Sequence, residues 1–181
     1  MIKDKCFTEE WMENFKSQKA HSRIDKIILE KMIYALHLLE RLKTNGLVFT
    51  FKGGTSLVLL LNEGNRFSID IDIICKTERE SLEEVLNKII QPSNFTAWEI
   101  DHHRSYQPGV PKAHYKFSFN TKQNGSGTIL LDILIEDSIY PEKIEIPIKS
   151  KWIETEKETK VTVPTINSIT GDKLTVFAPN T

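Results

Sequence analysis

Apolar residues recur at helical spacing over residues 22–44, which gives the clearest pattern in the chain. The apolar positions are Ile24, Ile27, Ile28, Met32, Ala35, Leu38, Leu39 and Leu42. Since side chains three and four residues apart share one face of a helix, we predict a long amphipathic helix that ends at Gly46. A short helix is expected before it, because Thr8 followed by Glu9 and Glu10 has the form of a helix N-cap.

A strand, a glycine turn and a second helix are predicted next. Residues 47–51 favour a strand that runs into Gly53, Gly54 and Thr55, and the leucine-rich residues 56–63 favour a helix. Residues 68–75 alternate between polar and apolar positions, which predicts another strand. From residue 77 a capping-box pattern opens a helix, with the inward positions Leu82, Val85, Leu86, Ile89 and Ile90.

The second half of the chain favours strands. Residues 95–104, 113–120 and 129–135 are β-prone, and the glycine-containing segment between the last two predicts an antiparallel hairpin. Short strands are expected at residues 143–148 and 160–163, followed by a helix from residue 166 to about 177. The expected fold class is α+β, a mixed β-sheet with helices packed on it. We expect N-terminal helices at 1–46, a core at 47–163 and the start of a C-terminal helical region at 164–181.

Composition excludes several classes of protein. Of 181 residues, 39% are apolar and 27% are charged, with a net charge of -1, as in folded globular proteins. No window approaches the roughly 20 apolar residues that a membrane span needs, so we expect no membrane partner and a cytoplasmic location. The two cysteines, Cys6 and Cys75, form no metal-binding pattern and are expected to be free thiols.

Two aspartates one residue apart carry the main chemical signal. In a strand, Asp70 and Asp72 would project from the same face as Arg66 and Ser68, with apolar residues on the other face. Close carboxylates repel each other unless a cation lies between them, and Mg²⁺ accepts carboxylate, water and phosphate oxygens. We predict a metal site that also holds a triphosphate. The alternative is a pair of aspartates solvated on an exposed strand.

The glycine turn upstream predicts a phosphate site. Gly53 and Gly54 would let the backbone approach a bulky anion, and a helix beginning near Thr55 would direct N–H groups towards it. Such a turn is weak evidence alone, but the Asp-x-Asp pattern that follows makes it more specific.

Asp132 is the only charged residue between Thr128 and Ile135. A carboxylate within a buried strand is costly unless it is paired or bound to metal. We therefore predict that it is a third metal ligand. The alternative is an aspartate paired with a neighbouring lysine or arginine.

Basic and aromatic residues on the predicted hairpin could form an RNA-facing surface, although an ordinary solvated strand face is favoured. They are Arg104, Lys112, Lys116, Lys122, Tyr106 and Tyr115. A surface role is also favoured over a metal site for the histidines His102, His103 and His114, because no cysteine or acidic partner stands at ligand spacing.

Residues 51–57, Phe-Lys-Gly-Gly-Thr-Ser-Leu, and 66–72, Arg-Phe-Ser-Ile-Asp-Ile-Asp, closely resemble the AbiEii/AbiGii nucleotidyltransferase toxin family. The resemblance covers residues 51–132 and the helix around 171–174. It implies a DNA-polymerase-β-like nucleotidyltransferase fold and an enzyme that transfers a nucleotide from an NTP and releases pyrophosphate. It also implies the toxin half of a toxin–antitoxin or phage-defence (abortive infection) pair, with a cognate antitoxin as partner.

The resemblance assigns roles to individual residues. Asp70, Asp72 and Asp132 would bind Mg²⁺ or Mn²⁺, and Lys173, which matches a catalytically important lysine of the family, would neutralise phosphate charge. Arg66 would contact phosphate or pair with an aspartate. The remaining phosphate-binding residues would be Gly53, Gly54, Thr55 and Ser68.

The acceptor implied by relatives is the 3′ end of tRNA. A protein side chain or a small molecule remains an alternative acceptor, and a non-catalytic nucleotide-binding module is a third possibility. In the family, further helical sequence with another acidic motif follows the lysine helix, so we expect this chain to be a fragment.

Overall fold

A mixed β-sheet flanked by helices forms the centre of the molecule. The computed structural model describes residues 1–19, 21–61, 69–90, 93–105, 111–122 and 125–175, and the side chains of Lys173 and Thr175 lie outside this description. The helices are α1 (Glu9–Ser17), α2 (Lys26–Thr44), α3 (Gly53–Leu61), α4 (Arg79–Ile90), α5 (His102–Ser105) and α6 (Ile166–Thr175). The strands are β1 (Thr50–Lys52), β2 (Ile71–Ile74), β3 (Phe95–Ile100), β4 (Lys112–Asn120), β5 (Ser126–Leu134), β6 (Lys143–Pro147) and β7 (Lys160–Pro164).

The sheet combines parallel and antiparallel pairs. Its seven strands run in the order β3-β4-β5-β2-β1-β7-β6. The pairs β2–β5 and β1–β7 are parallel, and the other four are antiparallel. The predicted α+β class with a mixed sheet and packed helices is confirmed. The predicted antiparallel hairpin is also correct, since β4 and β5 pair along their whole length.

Helix α2 lies in the core, and this explains its sequence. Thr8 caps α1 as predicted, while Asp25 caps α2 by accepting the N–H groups of Ile27 and Ile28. Buried side chains occupy most of α2, including Tyr34, whose ring stacks on Phe119 of β4 with centroids 3.7 Å apart. One cluster of buried apolar residues runs from the N-terminal segment to β7. The proposed three-part division of the chain stays a prediction.

The predicted strand over residues 95–104 is wrong in its last part. β3 ends at Ile100, and His102–Ser105 forms the single helical turn α5. The cause is Asp101, whose carbonyl accepts the N–H groups of Arg104 and Ser105 and so turns the chain out of the strand. Arg104 is therefore presented from a turn rather than from a strand face.

The segment around the paired aspartates also differs from prediction. β2 begins at Ile71, so Asp72 lies in the strand while Asp70 lies just before it. Helix α3 begins earlier than predicted, directly at Gly53. Residues 62–68, which include Arg66 and Ser68, lie outside the described residues. Of the expected four-residue face, only Asp70 and Asp72 are described, one just before the strand and one within it.

Both cysteines are free, as predicted, and the structure shows that both are buried. Within the described part of the chain, no helix has the length and apolar character required to cross a membrane.

Candidate active site

The register of β2 against β5 brings two acidic residues side by side. Asp72 and Asp132 are direct partners in this parallel pair, and both are half-buried. Their neighbours Ile71, Ile73 and Ile133 are buried on the opposite face, which packs into the core. Because side chains at one register position share a face, both carboxylates project from the open face of the sheet. The structure therefore places Asp132 beside Asp72, while its role as a third metal ligand stays a prediction.

Gly53 lies against the Asp72 carboxylate. Its φ angle is 79°, in the left-handed region that favours glycine. A Cβ atom placed on Gly53 would collide with the carboxylate group of Asp72. The first residue of α3 and the strand aspartate thus approach each other as closely as they do only because residue 53 has no side chain.

Thr55 supports the approach of Asp70 to the same edge. Its buried hydroxyl donates a 2.7 Å hydrogen bond to the carbonyl oxygen of Asp70. Desolvation and then the negative charge of Asp132 raise the pKa of Asp70, against smaller opposing effects of Arg104 and Lys31. The carboxylates of Asp70 and Asp132 therefore repel each other electrostatically. With the Thr55 hydroxyl engaged, the part of Thr55 suited to a phosphate is its backbone N–H in the first turn of α3.

Asp132 accepts two short hydrogen bonds. Nδ1 of His114 lies 2.7 Å from Oδ1 of Asp132, and Nη2 of Arg104 lies 2.7 Å from Oδ2. The alternative foreseen for Asp132, pairing with a basic neighbour, is thus realised in this structure through Arg104. Pairing does not exclude metal binding, because a carboxylate offers about four lone-pair positions and two are used here.

A cavity of about 280 Å³ opens beside these carboxylates. Asp72 and Asp132 supply the acidic side chains of its lining. The basic side chains come from β1, α5 and β4, and they are Lys52, Arg104, Lys112 and His114. Lys52 stands directly opposite Asp72 in the β1–β2 pair. A cavity lined by both carboxylates and basic side chains suits a ligand that carries both a metal ion and phosphates.

The residues fit Mg²⁺ in chemical type. Asp72 and Asp132 are adjacent oxygen donors, and the negative charge of Asp132 adds to desolvation in raising the pKa of Asp70. Among the described side chains, no group of three or more His, Cys, Asp or Glu residues is arranged to hold a metal ion by itself. Mg²⁺ in phosphate-transfer sites is usually bound by one or two carboxylates together with substrate phosphates and water, so a preformed three-residue cage is not required.

Comparison with protein families gives a match over residues 37–181 to the nucleotidyl transferase AbiEii toxin of type IV toxin–antitoxin systems. The chain belongs to the AbiEii nucleotidyltransferase toxin family. This confirms the resemblance drawn from the glycine turn and the Asp-x-Asp segment. The comparison with curated proteins gives no match.

Solved structures share the fold of this family member. It is similar to MenT4, a nucleotidyltransferase toxin from Mycobacterium tuberculosis H37Rv, with a TM-score of 0.62 and 17% identity over 92% of this chain and 58% of that one. It is also similar to JHP933 from Helicobacter pylori, with a TM-score of 0.50 and 24% identity over 80% of this chain and 54% of that one. The chain therefore spans a little over half the length of these two proteins.

The lysine assigned from the family lies on α6, which contacts α3 and accepts a hydrogen bond from Tyr140. The hydroxyl of Tyr140 donates a 2.9 Å hydrogen bond to Oδ2 of Asp172, the residue next to Lys173. Desolvation, Asp172 and Asp72 together raise the pKa of Tyr140. Tyr140 therefore lies between the α6 segment that carries Lys173 and the carboxylate of β2.

Several basic and aromatic residues differ from their predicted placement. The surface role favoured for His114 is wrong, because its ring is bonded to Asp132 with 14% of the side chain exposed. Tyr115 is buried in the core and cannot face RNA, since β4 alternates and its odd-numbered positions point inward. His102 and His103 are exposed, as expected. Tyr106 lies outside the described residues.

Sequence reasoning missed His114, Lys52 and Tyr140 as residues near the site. For His114 a signal was present, because the alternation Ala113, His114, Tyr115 puts the histidine on the polar face of its strand. Its partner across the hairpin could not be named without the register, which depends on the turn. No local pattern connects Tyr140 with Asp172, which is 32 residues away.

Proposed function

We propose that this chain carries the catalytic centre of a metal-dependent nucleotidyltransferase, the toxin component of a type IV toxin–antitoxin pair that acts in the cytoplasm. The observation that carries the proposal is the register of Asp72 beside Asp132, with Gly53 and the first turn of α3 against Asp72. This arrangement places oxygen donors for a cation next to N–H donors for phosphate.

In this proposal, one group of residues would bind the metal ion and the NTP, and another would face the acceptor. Asp70 and Asp72 would hold Mg²⁺, and the first N–H groups of α3, at Gly53, Gly54 and Thr55, would bind the triphosphate. When bound, Mg²⁺ would neutralise the triphosphate and stabilise charge on the attacking and leaving oxygens. Lys173, Arg66 and Ser68 would add phosphate contacts, as the family resemblance implies.

Asp132 would join Asp72 at the cation, on the side of the site that receives the acceptor. The acceptor hydroxyl oxygen would attack the α-phosphorus of the NTP and pass its proton to Asp132. The bond from the α-phosphorus to the bridging oxygen would break, and pyrophosphate would leave with that electron pair. The hydrogen bonds from His114 and Arg104 fix the carboxyl group of Asp132 beside the cavity.

The proposed acceptor is the 3′ end of tRNA. Arg104 and Lys112 line the cavity beside Asp132, where phosphates next to a terminal ribose would pass. Lys116 is on the same face of β4 but pairs with Asp101 at 3.2 Å, so it is less available for RNA. A protein hydroxyl brings no phosphate for Lys112 in this cavity.

The test is nucleotide transfer by this chain with Mg²⁺, each of the four NTPs labelled at the α-phosphate, and a mixture of tRNA and cellular protein. We expect label in the tRNA fraction and removal of that label by periodate treatment of the tRNA before the reaction, since periodate destroys the terminal ribose diol. Label on protein alone would contradict the tRNA assignment. Absence of transfer to any acceptor would contradict the proposed activity.

Two variants make this assay specific. Asp72→Asn should abolish transfer, because it removes a charged metal ligand while it keeps the shape of the side chain. Asp137→Asn is the matched control: Asp137 is exposed and pairs with Lys76 away from the site, so transfer should be unchanged.

A further inference from the structure

On the open face of the sheet, the carboxylate of Asp132 contacts Arg104 and His114, and these two side chains differ in exposure. Arg104 is 42% exposed, whereas the His114 side chain is 14% exposed. An ion pair open to water contributes little and exchanges readily, while a shielded hydrogen bond to a charged group is stronger. Of the two partners of Asp132, His114 is therefore the fixed one.

The backbone of His114 is held on one side by the segment between β3 and β4. Its N–H donates to Oγ of Ser105 at 2.9 Å, and its carbonyl accepts from the N–H of Asp101 at 2.8 Å. The hydroxyl of Ser105 also donates to this carbonyl at 3.2 Å. The turn α5 is thus fastened to β4 at His114.

These contacts determine how His114 faces Asp132. Because both backbone groups of His114 are engaged towards β3, its pairing with Asp132 across the β4–β5 ladder is of the non-hydrogen-bonded type. In antiparallel sheets this type brings opposing Cα atoms to about 4.5 Å and their side chains closest together. The imidazole therefore reaches Asp132 directly, and its Nδ1–H donates to a carboxylate oxygen that can only accept.

We propose that His114 is a positioning residue for Asp132: it holds the carboxylate, through Nδ1, in the orientation in which Asp132 joins Asp72 at a bound divalent cation. This inference rests on the proposed function, since it presupposes a metal at the carboxylate pair. His114 touches neither metal nor nucleotide in this role. Hydrogen bonds of this kind to metal ligands typically contribute about 10-fold to 100-fold in metal affinity.

The test is Mn²⁺ binding to the 181-residue chain, measured from the electron paramagnetic resonance signal of free Mn²⁺ without nucleotide. His114→Leu removes the donor and should weaken Mn²⁺ binding about 10-fold or more. His114→Asn places an amide N–H near the position of Nδ1 and should restore most of the affinity. His102→Leu, on an exposed histidine, should leave binding unchanged.

Each outcome bears on the inference. Equal weakening in the Leu and Asn variants would indicate a packing role and overturn it, as would unchanged binding in both. Tighter binding in His114→Leu would mean that the histidine withholds Asp132 from the metal, which also overturns it. If His114→Leu does not fold, His114→Gln replaces it, because its amide lies too far along the side chain to replace Nδ1.

A separate control distinguishes this inference from the proposed function. Wild-type chain that binds no Mn²⁺, or binding that survives Asp72→Asn, would contradict the metal site itself. Binding that is lost in Asp72→Asn but unaffected in His114→Leu would contradict the role of His114 alone.

Discussion

Gly53 is required both by its own backbone conformation and by its contact with Asp72 in the candidate site. Its positive φ disfavours any side chain, and the space a Cβ would need is occupied by the Asp72 carboxylate. Gly46, after α2, also has a positive φ, at 87°, but a Cβ there would meet nothing within 4 Å. Substitution of either glycine therefore strains the backbone, but only substitution of Gly53 also displaces the Asp72 carboxylate.

We expect Gly46→Ala to lower the free energy of unfolding by about 1 kcal/mol and leave Mn²⁺ binding intact. Gly53→Ala should show a comparable loss of stability and, in addition, a loss of Mn²⁺ and NTP binding, because Asp72 must move. Urea unfolding and Mn²⁺ titration of both variants measure the two effects. Equal Mn²⁺ affinity in the two variants would refute the proposed contact between Gly53 and the metal site.

A second residue-scale prediction concerns His37, which is buried among aromatic rings of the core. It stacks on Phe95, and neither ring nitrogen has a hydrogen-bond partner among the described residues. Burial, followed by the charge of Arg41, lowers the pKa of His37 to about 4. Nδ1 lies 4.0 Å from a Glu40 oxygen, which is too far for a hydrogen bond that would oppose this shift.

The sign of the pH dependence follows from this lowered pKa. The unfolded chain binds a proton at His37 below a pH of about 6.5, whereas the folded chain does so only near 4, so folding loses stability as the pH falls between these values. Between pH 7.5 and 5 we expect a loss of about 2 kcal/mol from this residue. In urea unfolding at both pH values, His37→Phe should reduce the loss by that amount, and exposed His102→Gln should not. An unchanged pH dependence in His37→Phe would contradict a buried neutral histidine.

At the scale of elements, a side-chain hydrogen bond from Tyr140 to Asp172 holds α6, which also contacts α3. Tyr140→Phe removes the bond to Asp172 while it keeps the ring, so the part of α6 at Asp172 and Lys173 should be held less firmly. We expect weaker NTP binding by several-fold, because Lys173 is carried on this helix, and a small loss of stability of about 1 kcal/mol. Fluorescence titration with an NTP analogue measures the first effect.

The control for Tyr140→Phe is Thr170→Val. Thr170 also lies on α6, but its hydroxyl donates to the carbonyl of Ile166 within the exposed part of the same helix. NTP affinity should be unchanged in this variant. A similar decrease in both variants would mean that general loosening of α6, rather than the Tyr140 contact, governs NTP binding.

Elements with a clear local pattern could be predicted from the sequence. The apolar spacing of α2 and the alternation of β4 and β5 determined their type, because helix and strand periods differ. The turn α5 was missed because its cause is local hydrogen bonding by Asp101 within a β-prone stretch. Thr55 was assigned to phosphate, whereas its hydroxyl bonds to the backbone of Asp70, a contact that depends on how α3 packs on β2.

The candidate site was predictable in its residue types but only partly in its geometry. Asp132 was singled out because a carboxylate in an apolar strand requires a partner. Its position beside Asp72 depends on the parallel pairing of β2 and β5, which are separated by two other strands in the chain. Long-range register of this kind leaves no mark in the local pattern of either strand. The same holds for His114, whose function depends on the hairpin register.

At the scale of the whole molecule, the two faces of the sheet have different roles. One face of the central strands packs against the core that surrounds α2, and the other carries the cavity with its carboxylates and basic walls. Substitutions on the open face should therefore alter ligand binding more than folding. The measured free energy of unfolding of Asp72→Asn and His114→Asn should remain within about 1 kcal/mol of the wild-type value.

The central claim is that a divalent cation bound at Asp72 holds a triphosphate against the first turn of α3. Anomalous scattering from crystals of the chain grown with Mn²⁺ and a non-hydrolysable NTP tests it most directly. The account predicts a manganese peak about 2.0–2.3 Å from a carboxylate oxygen of Asp72, with phosphate oxygens in the same coordination sphere and the triphosphate near the N–H groups of Gly54 and Thr55. A nucleotide bound elsewhere, or a manganese peak that does not contact Asp72, would contradict it.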